Sequence, residues 1–101
     1  MPGNNYQVDV SAFAARLILQ AEYMASLHGL KQGFLKALKQ IVYDLSMEAE
    51  TVGSAAKGID AHGSTLHFRS HRLDVLTVNY AVHPEKRMVW IQTCVLNLPM
   101  N

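Results

Sequence analysis

The sequence has little of several features that define particular classes of protein. Its one cysteine, Cys94, cannot form an intramolecular disulfide, so we expect a reducing, cytoplasmic environment. No stretch approaches the roughly 18 consecutive apolar residues of a membrane-spanning helix. The first residues also lack the basic start and the apolar run of a signal peptide. We therefore expect a protein with no membrane association.

An excess of charge of either sign is also missing. The chain has 9 Lys+Arg against 8 Asp+Glu, which gives a formal net charge of +1. A balance this close to zero creates no overall field that would gather nucleic acid or an anionic membrane. Any binding of an anionic partner must therefore depend on a local cluster of basic residues.

The hydrophobic content, by contrast, is sufficient for a core. Half of the 101 residues are hydrophobic, which predicts a single domain over 1–101. Residues 1–5 are polar, contain Pro2 and Gly3, and are expected to be disordered. The alternation over 6–10 then predicts a short strand, and an extended lead-in to the next element remains an alternative.

Two amphipathic helices are predicted next. Ser11 is a good N-cap for a helix over 12–27, and Gly29 can adopt the left-handed conformation that closes it. A second helix is predicted over 31–50. The short connection predicts an antiparallel helical hairpin with a joint apolar face. Its predicted core residues are Leu17, Met24, Phe34, Leu38 and Ile41.

Residues 51–64 differ in composition from the predicted helices. Small residues and glycines stand among scattered charges there, which predicts a loop without regular structure. Its glycines do not open a helix, so they do not form a phosphate-binding loop.

Residues 65–98 predict three strands, the last two of them joined as a hairpin at the proline-containing break over 83–86. In the first strand Leu66 and Phe68 are expected to face the core. In the second strand the inward set is Leu76, Val78, Tyr80 and Val82, and the outward set is Val75, Thr77, Asn79 and Ala81. In the third, inward Val89, Ile91 and Val95 are favoured over Met88, Trp90 and Cys94.

The strongest candidate site is a row of basic residues on the first of these strands. His67, Arg69 and His71 alternate on one face about 7 Å apart, and Arg72 lies beside them. We expect the row on the sheet face opposite the helices, where it could follow a phosphate backbone or stabilise charge on a phosphoryl group. Histidine could also shuttle the proton of a ribose 2′-hydroxyl. A solvent-exposed polar face without function is the more common origin of this pattern.

Other chemistry has less support. His67 and His71 lie about 13 Å apart along an extended strand, too far to share one metal ion, so no metal is expected. Nothing in the sequence indicates another cofactor. Cys94 is expected to be a small packing residue rather than a nucleophile.

Two segments of the sequence resemble the RelE/ParE toxin superfamily. The end of the second helix, Asp44-Leu45-Ser46 with Glu48-Ala49-Glu50 and Val52-Gly53, is similar to the exit from the helical hairpin in that family. Residues 78–82 and 87–91 resemble its hairpin of the pattern V-x-Y-x-V, turn, R-x-V-x-I. The resemblance covers about residues 8–95.

This resemblance implies an α+β fold with a short N-terminal strand and a helical hairpin packed on one face of a small, mostly antiparallel curved sheet. Members cleave messenger RNA on the ribosome or poison gyrase, and an antitoxin neutralises them. The family's arginine before V-x-Y aligns with Thr77, and residues 97–101 provide no arginine or aromatic acid-base group. We therefore expect a binding or toxin-antitoxin-type module with weak or no catalysis, whose partner is an antitoxin or a second copy. An active toxin acting as a ribosome-dependent endoribonuclease is the alternative, and a small-molecule binding protein has no support beyond the loop.

Overall fold

The computed structural model describes residues 5–59 and 65–98, and of residues 55–59 the backbone alone. The predicted α+β fold is confirmed. Residues 1–4 of the segment predicted to be disordered lie outside the described residues. The elements are β1 (Gln7–Val10), α1 (Ala12–Leu27), α2 (Lys31–Glu48), β2 (Ser54–Ile59), β3 (Thr65–Leu73), β4 (Leu76–His83) and β5 (Met88–Leu96).

The strands form one mixed sheet in the order β1-β5-β4-β3-β2. Strands β2 to β5 pair antiparallel with their neighbours, whereas β1 runs parallel to β5. A parallel pair needs a long crossover, and the helices and the other strands provide it between β1 and β5. The two helices cover one face of this sheet. We call the opposite face the open face.

The predicted helix boundaries are nearly those of the structure. Helix α1 spans the predicted residues, and the N–H of Ala14 donates to the Ser11 hydroxyl at 3.0 Å, as an N-cap requires. Gly29 has a φ of 71°, which is the left-handed conformation expected after a helix. Helix α2 ends at Glu48, two residues before the predicted end.

Most of the predicted core is buried, but the buried stripe of α1 is rotated from its predicted position. Ala14, Ala21 and Ala25 face the core, because small side chains let the helix lie close to the sheet, and the predicted core residue Met24 is 40% exposed. Leu17 and Leu38 are partly buried and pack against the core. The other predicted residues on the helix side are fully buried: Phe34, Ile41, Val78, Tyr80 and Ile91.

The prediction of a loop over 51–64 was wrong for residues 54–59. Strand β2 lies there and pairs along its length with β3, from Ser54 opposite Ser70 to Ile59 opposite Thr65. Its small residues show no alternation from which a strand could be recognised. The strand exists because β3 presents an edge whose backbone groups need partners. Residues 60–64 lie outside the described part of the chain.

A β-bulge in β5 divides the inward set that was predicted for this strand. Tyr80 pairs with Ile91 but Asn79 pairs with Thr93, so Gln92 is an extra residue. Val89 and Ile91 face the core as predicted. Beyond the bulge the alternation is reversed, so that Cys94 is buried and Val95 is exposed, contrary to the prediction for Val95.

Candidate functional site

The basic row of β3 faces the helices, so the prediction that it lies on the open face was wrong. His67, Arg69 and His71 pair with Val82, Tyr80 and Val78, which are buried on the helix side. Residues directly opposite each other on neighbouring strands share a face. The apolar Leu66 and Phe68, expected in the core, therefore lie on the open face.

Both histidines of this row contact carboxylates at the end of the helical hairpin. His67 Nδ1 lies 2.7 Å from Glu50 Oε1, and His71 Nε2 lies 3.1 Å from Asp44 Oδ2. All four side chains are partly buried. These contacts satisfy polar groups under the helices, which is why polar residues are tolerated on this face. Asp44 and Glu50 are far from β3 in the sequence, so nothing in the sequence indicated that they pair with the two histidines.

Arg69 holds the segment after α2 against the sheet. Its Nε and Nη2 donate to the carbonyl oxygen of Val52 at 2.9 and 2.6 Å, and Nη2 also donates to that of Gly53 at 3.1 Å. Gly53 has a φ of 70°, and a Cβ added there would lie 1.9 Å from the carbonyl oxygen of Ser70. The guanidinium therefore stabilises a backbone that passes very close to β3.

Tyr80 completes this set of contacts from the next strand. Its side chain is buried, and its hydroxyl lies 3.2 Å from the carbonyl oxygen of Ala49 and 3.1 Å from that of Val52, to which it donates. Burial raises the pKa of the Tyr80 phenol above its ordinary value, although hydrogen bonding to Arg69 acts in the opposite direction. The phenol is therefore neutral at physiological pH and serves as a hydrogen-bond donor.

The raised pKa of Tyr80 predicts a loss of stability in alkali. Because the folded-state pKa lies above the unfolded value of about 10, the contribution is complete below pH 10 and is lost as the pH rises through the folded-state pKa. We expect the free energy of unfolding, measured in urea from about pH 8 to about pH 11, to fall less steeply in Tyr80→Phe than in the unchanged protein. The exposed Tyr43→Phe is the control for removing a hydroxyl, and identical slopes for Tyr80→Phe and the unchanged protein would contradict the prediction.

The open face carries an aromatic residue on each side of a small one. Phe68 and Trp90 both pair with Ala81 and stand two strands apart, about 10 Å. Ala81 is only 1% exposed, because its neighbours cover it. Trp90 also makes an edge contact with His83, with the ring centroids 6.4 Å apart. The sequence correctly predicted Ala81 on this face.

Beside this row lies a shallow cleft of about 300 Å³. Its described border contains hydroxyl and amide groups, two aromatic residues and one arginine, and no carboxylate: Ser54, Phe68, Arg69, Ser70, Asn79, Tyr80 and Gln92. Asn79 Nδ2 donates to the hydroxyl of Thr93 at 2.8 Å, which orients its amide. The cleft can donate and accept hydrogen bonds and provide a flat apolar contact.

Sequence reasoning missed the role of Gln92. The bulge places this residue at the cleft, and bulges commonly redirect a side chain in this way. The one signal in the sequence was the adjacent polar pair Gln92-Thr93 within an otherwise alternating strand. Of the four predicted site residues, Arg72 alone lies on the open face, since it pairs with the outward-facing Thr77 and is exposed.

Across 5–59 and 65–98, no group of three or more His, Cys, Asp or Glu side chains comes together as a metal site. Neither helix of this part of the chain is long and apolar enough to cross a membrane. Burial raises the pKa of the Cys94 thiol, which disfavours the reactive thiolate.

The architecture of two helices on one face of a small mixed sheet defines a class of α+β protein that has a known structural counterpart. A chain of the archaeal RelE–RelB complex from Pyrococcus horikoshii superposes with a TM-score of 0.53, covering 95% of this chain and 99% of that one. The two sequences are 18% identical, so the similarity establishes the fold alone. No protein-family model and no curated protein matches the sequence. The chain has a RelE-like fold, as its sequence predicted.

Proposed function

We propose that this protein is a binding module of a toxin-antitoxin type that contacts a protein partner through its open sheet face and has weak or no ribonuclease activity. The observation that carries the proposal is the engagement of the basic row. His67, Arg69 and His71 contact groups at the end of the helical hairpin and are not presented to the open face. The similarity to a chain of a RelE–RelB complex supports an antitoxin as the partner.

The open face has the composition of a contact surface. Phe68 and Trp90 are large, partly exposed rings, and aromatic residues contribute much of the binding energy at protein interfaces. The hydroxyl and amide groups of the cleft can pair with the backbone or side chains of a partner. Arg72 adds one exposed positive charge at the side of this surface, which suits an acidic partner.

Among the described residues, the predicted catalytic set leaves few groups for ribonuclease chemistry at this face. Cleavage through a 2′-hydroxyl needs a proton acceptor, a proton donor and positive charge at the phosphate. The Tyr80 hydroxyl lies on the helix side and donates to the Val52 carbonyl, and because its pKa is raised it stays protonated at neutral pH and cannot accept a proton. Arg72 alone of the predicted catalytic set could supply charge at the open face. A ribosome-dependent toxin would need an acid and a base from outside the predicted set.

Two measurements test this proposal. Purified protein added to translating ribosomes should produce no messenger RNA cleavage above that of a sample without it. In parallel, the protein should bind the product of a small acidic reading frame adjacent to its own gene, and Phe68→Ala should weaken that binding by about tenfold or more. Tyr43→Ala removes an aromatic ring from the outer face of α2 and should leave the affinity unchanged.

The outcomes separate the alternatives. Cleavage that Arg72→Ala abolishes would establish the ribosome-dependent toxin and refute the proposal. Equal loss of affinity in Phe68→Ala and Tyr43→Ala would place the partner on another surface. Retained affinity in both variants would do the same.

A further inference from the structure

Helix α1 exposes large apolar side chains on its outer side as well as packing through its inner side. Its inner side packs against the sheet through Ala14, Ala21 and Ala25. A second set of large apolar residues lies on the side that points away from the core, each between 40% and 66% exposed: Phe13, Leu19, Tyr23, Met24 and Leu27. A helix that is apolar on both sides is normally covered on both sides.

Three of these exposed residues lie on one helix-pairing seam, with Arg16 and Gln20 between them. Positions 13, 16, 20, 23 and 27 are separated alternately by three and four residues, which is the a/d pattern of a coiled coil. Leu19 and Met24 flank this seam. These seven positions span about four turns of helix. We call them the outer face of α1.

We propose that two copies of this chain pair through the outer face of α1, with the two helices antiparallel about a two-fold axis near Gln20. This pairing uses a different surface from the open sheet face, so it does not depend on the function proposed above. The charges and the area of the outer face favour a second copy of the chain as its binding partner.

The charge pattern favours an antiparallel second copy. The outer face carries one formal charge, Arg16, and no carboxylate. Parallel pairing would place the two Arg16 side chains together. Antiparallel pairing about Gln20 separates them by about 12 Å along the axis, beyond the screening length of about 8 Å in physiological salt, and brings each near Tyr23 and Met24 of the other copy. The guanidinium can then lie over the partner ring as a cation–π contact.

The area is also sufficient for a dimer of moderate affinity. The five exposed apolar side chains, with the stems of Arg16 and Gln20, offer on the order of 600 Å² per copy, which is at the lower end of specific interfaces. With a net charge of +1, two copies repel each other little over longer distances. An isologous two-fold contact of this kind closes on itself, so the outer face of α1 does not propagate into larger assemblies.

The first test is the molar mass of the purified full chain, measured by light scattering from about 100 µM down to about 1 µM. We expect a dimer at the upper end that dissociates on dilution. Tyr23→Lys should raise the dissociation constant by at least about 30-fold, because it removes the ring and places a second positive charge beside Arg16 of the other copy. Tyr43→Lys is the matched control, with the same substitution at similar exposure on the outer face of α2, and should leave the mass unchanged.

A second measurement fixes the arrangement of the helices. In Gln20→Cys the new thiols face each other across the proposed axis, so mild oxidation should give a covalent dimer. Lys39→Cys on α2 should remain monomeric under the same denaturing analysis, and the buried Cys94 is present in both proteins. Circular dichroism and thermal unfolding confirm that each variant is folded.

Several different results would contradict the proposed dimer. A mass of one copy at every concentration would overturn the proposal. So would a dimer that Tyr43→Lys dissociates and Tyr23→Lys does not, or a covalent dimer that forms at position 39 and not at position 20. A complex in which the outer face of α1 is covered by a different polypeptide, with no self-association of the isolated chain, would overturn it as well.

Discussion

Replacing Gly53 by alanine should lower the free energy of unfolding by about 2 to 4 kcal/mol. Two effects act together at this position. The φ of 70° is unfavourable for any residue with a Cβ, and the added Cβ would lie 1.9 Å from the carbonyl oxygen of Ser70. That oxygen belongs to the backbone of β3 and cannot move away without disturbing the pairing of β2 with β3. Urea unfolding at neutral pH measures the loss.

The chain provides a matched control for this substitution. Gly29 has a φ of 71°, but no atom lies within 4 Å of an added Cβ. Gly29→Ala should therefore cost only the conformational term, about 1 kcal/mol. The difference between the two variants isolates the close approach of the backbone after α2 to β3. Equal losses in the two proteins would contradict that geometry.

Arg69→Ala should lower the free energy of unfolding by about 2 to 3 kcal/mol, because it removes three charge-assisted hydrogen bonds to carbonyl oxygens. The Val52 carbonyl would then keep only the Tyr80 hydroxyl as a partner, and the Gly53 carbonyl would lose its guanidinium donor. The measurement is again urea unfolding, with hydrogen exchange over 49–54 to locate the loosened segment.

Arg72→Ala is the control for this prediction. It removes an arginine from the same strand, but one that is exposed on the open face, and its stability should change by no more than about 0.5 kcal/mol. If Arg69→Ala proved as stable as Arg72→Ala, the contacts of Arg69 with the carbonyls would not matter for folding. Arg69 would then again be a candidate catalytic residue.

The Gly53→Ala and Arg69→Ala variants also change a region next to the proposed binding surface. Gly53 and Arg69 hold the end of the helical hairpin to the sheet, and the cleft of the open face borders the same part of β3 at Ser70. A loss of partner binding in Arg69→Ala would therefore need to be corrected for its stability. Phe68→Ala lies on the opposite face of the strand from Arg69 and reports on binding more directly.

The sequence by itself determined the secondary structure wherever periodicity was strong. The N-cap Ser11, the closing Gly29 and the regular apolar spacing defined both helices to within two residues. The inward set of β4 was also predicted correctly, because its alternation of large apolar and small polar residues leaves one face to bury. The resemblance of the hairpin residues to a known superfamily then led to the RelE-like fold.

Only the tertiary structure decided which face of β3 is covered. His67, Arg69 and His71 were expected in solvent because charged groups are costly to bury, and Phe68 was expected in the core because an apolar ring is favourable there. The cost disappears when Glu50, Asp44 and the carbonyl of Val52 provide partners, and these lie 17 to 27 residues away in the chain. Strand β2 and the bulge at Gln92 arose in the same way, from pairing between distant segments. Local sequence patterns carry no information about these distant partners. The partners determine on which face of the sheet the polar groups lie.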